Sequence, residues 1–132
     1  MTNLEEPTAR AGVRVLVADG QSDVRIVMAK ALREAGYEVV EIRDVGEARA
    51  LTEDPAGLAL VVTDVDIPGF DGFDVANHAR ARDPDVPILF VTDEPDRVTD
   101  RVTREPCYCL SKPFNASVLL EVTARLLAVR RR

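Results

Sequence analysis

The chain has 132 residues, a length that suits one hydrophobic core, since single domains commonly run to about 100–150 residues. Its residues are 46% hydrophobic and 30% charged, mixed along the chain, which is not a disordered composition; aromatics make up 5%, so Val, Leu and Ala must fill the core. A net charge of −6 argues against nucleic acid as the main ligand, no run approaches the ~20 apolar residues of a membrane span, and MTNLEEPTAR lacks the regions of a signal peptide, so the expected compartment is the cytoplasm.

Residues 1–11 read as a flexible tail and residues 12–130 as a single domain with no output domain attached. Val13–Ala18 (VRVLVA) is the first strand candidate. Val24, Val27, Met28, Ala31, Leu32 and Ala35 then recur at helical spacing, with Ser22 as the expected N-cap and Gly36 as the stop. Glu38–Ile42 is the second strand and Gly46–Glu53 a second helix. Leu58–Val62 (LALVV) is the third strand, followed by a helix over Phe73–Arg82. Pro87–Val91 and Cys107–Leu110 are the fourth and fifth strands, separated by a helix over Pro95–Arg104. The last helix, Asn115–Val129, is opened by the capping residue Asn115 and places Leu119, Val122, Leu126 and Val129 on one face. Near-continuous apolar strands in strict alternation with helices predict an α/β fold with a doubly wound, parallel, five-stranded sheet covered on both faces.

In open parallel sheets ligands bind beyond the carboxyl ends of the strands. The residues there are Asp19, Asp64, Thr92 and Lys112. Two carboxylates, a hydroxyl and an ammonium suit a phosphoryl group and a divalent cation, with one carboxylate as nucleophile and Lys112 neutralising the anion. In VTDVDIPGFDG, residues 62–72, Asp64 and Asp66 are candidates for chemistry, whereas Asp71 before Gly72 reads as turn and capping chemistry. Cys107 and Cys109 cannot close a zinc site alone and read as packing residues, and the lone His78 reads as structural.

VLVADG at 15–20, LVVTDVDIPGFDG at 60–72, ILFVTD at 88–93 and LSKPF at 110–114 resemble the receiver domains of bacterial two-component response regulators, over residues 13–129. The resemblance implies a flavodoxin-like sheet of strand order 2-1-3-4-5. It implies a phosphoryl group accepted on Asp64 from a histidine kinase or phosphotransfer protein, contacts to it from Thr92 and Lys112, and a cis Lys112–Pro113 bond. Mg²⁺ would be held by Asp19, Asp64 and the backbone carbonyl of Asp66.

The chain departs from the pattern at four places. Receivers carry two acids after the first strand, and here Asp19 is followed by Gly20, so weaker Mg²⁺ binding is expected. Asp66 stands where a neutral residue is common; the plainer reading is a solvated loop acid, the functional one that it leans toward the site to offset the missing acid or orient a water. Asp93 follows Thr92 where a small residue is usual, and could crowd a phosphodonor or pair with Lys112. The position three before the lysine, aromatic in receivers, is Cys109, preceded by Tyr108.

Three functions compete on this reading. One is a stand-alone, non-enzymatic receiver that docks on a downstream protein, with homodimerisation open, through a face including Val98, Val102, Tyr108 and Cys109. The second is a pseudo-receiver binding module, favoured by Gly20 and Asp93. The third is a haloacid-dehalogenase-like phosphatase built on Asp64 and Asp66.

Overall fold

A computed structural model describes residues 12–44, 46–47, 57–101 and 105–130. Five parallel strands form the sheet: β1 (Arg14–Ala18), β2 (Glu38–Ile42), β3 (Leu60–Asp64), β4 (Ile88–Thr92) and β5 (Cys107–Ser111), in the order β2-β1-β3-β4-β5. The described helices are α1 (Ser22–Glu34), α2 (Gly72–Arg82), α3 (Asp96–Asp100) and α4 (Ala116–Arg130). Between β3 and α2 the chain makes a small antiparallel hairpin, Asp66–Ile67 against Phe70–Asp71, turning at Gly69 with φ 90°.

Side chains alternate across a strand, and here both faces are covered. Val15, Val17, Leu60, Val62, Leu89 and Val91 pack with Met28 and Leu32 of α1 and with Leu119, Leu126 and Leu127 of α4. Leu16, Ala18, Val61, Ile88 and Phe90 face the other way, onto Phe73, Val75 and Ala76 of α2 and Val98 of α3. All five residues of β3 and of β4 are buried, which is why these stretches read as apolar runs rather than alternating ones. Phe73 and Phe90 lie with ring centroids 5.0 Å apart, in a tilted arrangement that pins α2 to the sheet.

Several boundaries differ from expectation. The third strand begins at Leu60 and runs through Asp64, because Leu58 and Ala59 precede the ladder whereas Thr63 and Asp64 pair with Phe90 and Val91 of β4. Ser22 is not the cap of α1 but its first residue; Gln21 occupies the cap position, and its side chain makes no capping bond to the helix. Val27 and Val129 are 61% and 51% exposed, so the buried stripes run through Met28 and Leu32 in α1 and through Leu119, Thr123, Leu126 and Leu127 in α4. Gly36 ends α1 with φ 100°, the left-handed conformation expected of a helix stop, and Asn115 accepts a bond from Val118 N at 2.9 Å, as its capping role requires. Most of the expected helix over 46–53, residues 102–104 and the tail over 1–11 lie outside the described residues. His78 is exposed on α2, and the thiols of Cys107 and Cys109 pack half-buried against the α2 face of the core.

Thr123 in α4 is fully buried, and its Oγ1 has no hydrogen-bond partner among the described residues. Replacing it with the isosteric valine removes a desolvated hydroxyl without opening a cavity. Thr123→Val should raise the unfolding free energy by about 1 kcal/mol in urea titrations; a loss of stability would show that the hydroxyl is satisfied in solution.

Candidate functional site

Parallel strands bring their carboxyl ends to one edge, and the residues there come from distant parts of the chain. Asp19 follows β1, Asp64 ends β3, Thr92 ends β4 and Lys112 follows β5. Lys112 Nζ donates to Asp19 Oδ2 at 2.9 Å, to Asp64 Oδ2 at 3.0 Å and to Gln21 Oε1 at 2.8 Å, which accounts for all three ammonium protons. The second carboxylate oxygens are held by the backbone: Asp64 Oδ1 accepts from Val65 N at 2.7 Å, and Asp19 Oδ1 from Gln21 N at 2.9 Å. Both acids are therefore fixed in orientation, and both are buried.

Thr92 lies on the same edge, buried, with its Oγ1 accepting from Glu94 N at 2.9 Å and its carbonyl accepting from Lys112 N at 2.8 Å. It thus ties the loop after β4 to the start of the loop after β5. The Lys112–Pro113 bond is cis, as the resemblance implied.

Burial is the largest influence on Asp19 and raises its carboxyl above the ordinary 3.8, outweighing the bonds from Lys112 and Gln21. Burial alone would lower Lys112, but the hydrogen bonds and charges of Asp19 and Asp64 prevail and hold the ammonium above its usual range. The folded state holds the Asp19 proton more tightly than the unfolded chain, so that contribution is fully present below pH 3.8 and is lost as pH rises through the raised folded value. Over this window the stability of the native chain relative to Asp19→Asn, read from urea unfolding, should fall as pH rises; a difference that does not change with pH would refute it.

Two placements that the sequence left open are not adopted. The Asp66 carboxylate is not joined to the Lys112 cluster but is exposed and accepts from Arg97 Nη1 of α3 at 2.8 and 2.7 Å. Asp93 is exposed and does not pair with Lys112, whose three protons are taken by Asp19, Asp64 and Gln21. Asp71 caps α2, its side chain accepting from Asp74 N at 2.9 Å, as its place before Gly72 predicted.

Two contributors were missed. Gln21 is a polar loop residue with no distinguishing sequence signal. Arg25 had one: it lies on the apolar stripe of α1 with Met28, Ala29 and Leu32, and all four are buried. Its guanidinium donates to the Asp19 carbonyl at 3.0 Å and to Glu41 Oε1 at 3.2 Å, fixing the loop that carries Asp19 against β2.

Gly20 is packed against the loop after β3: a Cβ there would lie 2.5 Å from Pro68 Cδ and 3.2 Å from its Cγ. A second acid at this position requires the Pro68 ring to move. The donors that converge fit a hard divalent cation, since Asp19 and Asp64 offer carboxylate oxygens already gathered on one positive charge. Among the described residues no three acidic, histidine or cysteine side chains form a ready-made metal cluster. A cleft of about 480 Å³ beside Lys112 is walled by Gln21, Val24, Val27, Met28 and Phe114.

The family model for the response regulator receiver domain matches residues 15–124. The response regulator receiver protein CpdR of Brucella abortus is 33% identical over 121 residues, 86% of this chain and 96% of that protein. The transcriptional regulatory protein TcrA of Mycobacterium tuberculosis is 36% identical over 125 residues, 92% of this chain but only 47% of that protein, so the chain spans about half of this longer relative. Among solved structures, the response regulator TrrA of Thermotoga maritima in complex with Mg²⁺ and beryllofluoride superposes with a TM-score of 0.70 at 25% identity, covering 86% of this chain and 98% of that one.

Proposed function

This chain belongs to the response-regulator receiver domains of two-component signalling, and we propose that it accepts a phosphoryl group on Asp64 from a histidine kinase or phosphotransfer protein and signals by docking on another protein. The observation that carries this reading is the Asp64 carboxylate at the end of β3, held at one oxygen by Lys112 and at the other by Val65 N. Oδ1 accepts from both Val65 N and Asp66 N, whereas Oδ2 has Lys112 as its one donor and keeps a lone pair, and the carboxylate cannot rotate away from an incoming phosphorus. In the transfer an Asp64 oxygen forms the new bond to phosphorus, the donor's bond to phosphorus breaks, and the donor atom leaves with the electron pair. Lys112 shifts toward the phosphoryl oxygens and gives up part of its bonding to Asp64, while Asp19 and Gln21 hold its position. The Thr92 hydroxyl keeps its proton free to donate to a phosphoryl oxygen, because its bond to Glu94 N uses it only as acceptor.

Mg²⁺ is present in the TrrA complex. Here Asp19, Asp64 and the Asp66 carbonyl would hold it, and it supplies neutralisation of the transferring phosphoryl charge. With Gly20 giving no carboxylate, binding is weaker than with an acidic pair. Incubation with acetyl phosphate and Mg²⁺ followed by intact mass measurement tests the reading: a gain of one phosphoryl group supports it. No gain would favour the pseudo-receiver reading, for which Gly20 under Pro68 speaks. The phosphatase reading needs Asp66 as an acid beside Asp64, and Asp66 is engaged by Arg97.

Receiver domains are signalling modules. No described helix is long and apolar enough to cross a membrane, in keeping with a cytoplasmic place of action. The output face we assign is α3, β5 and α4, where Tyr108 is 50% exposed and Cys109 is half-buried; Val98 is buried beneath it and Val102 lies outside the described residues. Without an aromatic ring at Cys109 to fill space near Thr92, coupling should fall below the ~1–3 kcal/mol usual between linked sites. Amide hydrogen exchange along β5 should therefore change less than about tenfold, or ~1.4 kcal/mol, on adding beryllofluoride; a larger change would show that the switch works without the ring.

A further inference from the structure

We propose that Arg97 is a positioning residue that holds the Asp66 carboxylate out of the cation site, and that this carboxylate, once released, becomes a third anionic ligand beside Asp19 and Asp64. The inference rests on the reading above that Asp19 and Asp64 hold the cation.

Asp66 follows the acceptor by two residues, and its amide nitrogen lies 3.4 Å from Asp64 Oδ1, so its backbone already abuts the acceptor carboxylate. Only the direction of its side chain keeps it from the cluster. That direction is set by Arg97 in the first turn of α3, whose Nη1 donates to both carboxylate oxygens, at 2.8 and 2.7 Å. Glu94 lies 3.8 Å from the same nitrogen, so the guanidinium has a second acid close by to receive it if Asp66 leaves.

The pair is open to solvent, Arg97 being 40% and Asp66 63% exposed at the side chain, and such pairs are weak enough to open readily. A change in one staggered torsion is all that re-aims a carboxylate. The pull in the other direction comes from the cation. Mg²⁺ takes about six oxygen ligands and is held most firmly by anionic ones, yet Gly20 offers none and Pro68 sits where its side chain would begin. Asp66 is thus an acid adjoining the acceptor through its backbone and committed elsewhere through its side chain. The consequence is a site whose cation affinity is set by α3, an element of the output face, through a single ion pair.

Mg²⁺ titration followed by the amide resonances of Val65 and Asp66 tests this without any phosphotransfer. The salt is set at about 0.5 M, where the Debye length falls to ~4 Å and long-range charge effects are screened. Arg97→Gln should bind Mg²⁺ at least about fivefold more tightly than the native chain, as an added carboxylate ligand implies. The double variant Asp66→Asn/Arg97→Gln should return to native affinity, and Arg97→Lys, which keeps a cation for Asp66, should stay near it. Arg101→Gln removes a positive charge one turn further along and should change nothing. Native affinity in Arg97→Gln, an equal gain in the double variant, or an equal gain in Arg101→Gln would each overturn the proposal. Asp64→Asn separates the two levels: if it titrates like the native chain, the placement of the cation at Asp19 and Asp64 fails and this inference with it. If it weakens binding while Arg97→Gln does nothing, this inference alone fails.

Discussion

Asp64→Asn is expected to abolish labelling by acetyl phosphate completely, while Asp66→Asn and Asp71→Asn continue to gain one phosphoryl group. The three aspartates lie within eight residues, and their environments separate them. Asp64 is buried against Lys112 and Asp19, Asp66 is exposed on Arg97, and Asp71 caps α2. An amide at 64 keeps an oxygen for the Val65 N–H but has no carboxylate to attack phosphorus, so the loss is of chemistry rather than of fold. Asparagine caps a helix as well as aspartate does, which leaves Asp71→Asn folded. Urea midpoints measured alongside the mass spectra identify any variant that fails by unfolding. A mass gain that persists in folded Asp64→Asn would place the acceptor on another residue.

The sheet was legible because buried parallel strands and amphipathic helices leave opposite marks on the sequence. The apolar run at Leu58 could not say where the ladder begins: Leu58 and Ala59 are apolar but outside it, while Thr63 and Asp64 are polar and inside it, buried by β1 and β4 on either side. Val27 and Val129 carried the helical period yet face solvent, since periodicity marks a stripe without fixing its edges. The convergence of Asp19, Asp64 and Lys112 followed from one topological rule about strand ends. What the rule could not supply was partnership. Arg97 reaches Asp66 across 31 residues, and Gln21 rather than Asp93 completes the coordination of Lys112; such pairings depend on how loops pack, which local sequence does not encode. The closure of Gly20 by Pro68 is of the same kind.

Gly72→Ala is expected to cost the domain about 3 kcal/mol, a large part of the ~5–15 kcal/mol that holds a domain of this size together. Gly72 opens α2 where it presses on the end of β3: its N–H donates to Val65 O at 2.7 Å. A Cβ at this position would overlap the carbonyl oxygen of Asp64 and sit 3.0 Å from Thr63 Oγ1. That carbonyl is already engaged by the Thr63 hydroxyl at 2.8 Å in a buried setting. Neither side can yield cheaply. Moving β3 breaks its ladder with β4 at the acceptor itself, and moving α2 lifts Phe73 off Phe90 and weakens the Asp71 cap. Overpacking of this kind costs about 1–3 kcal/mol and a broken buried hydrogen bond roughly another 1–3. The gain of up to ~1 kcal/mol from alanine's helix preference offsets only part of this. Because the strain falls on Asp64, labelling by acetyl phosphate should drop even under conditions where the variant remains folded. Urea unfolding of Gly72→Ala within about 1 kcal/mol of the native chain, with labelling intact, would show that the junction of β3 and α2 relaxes freely and that glycine is not required there.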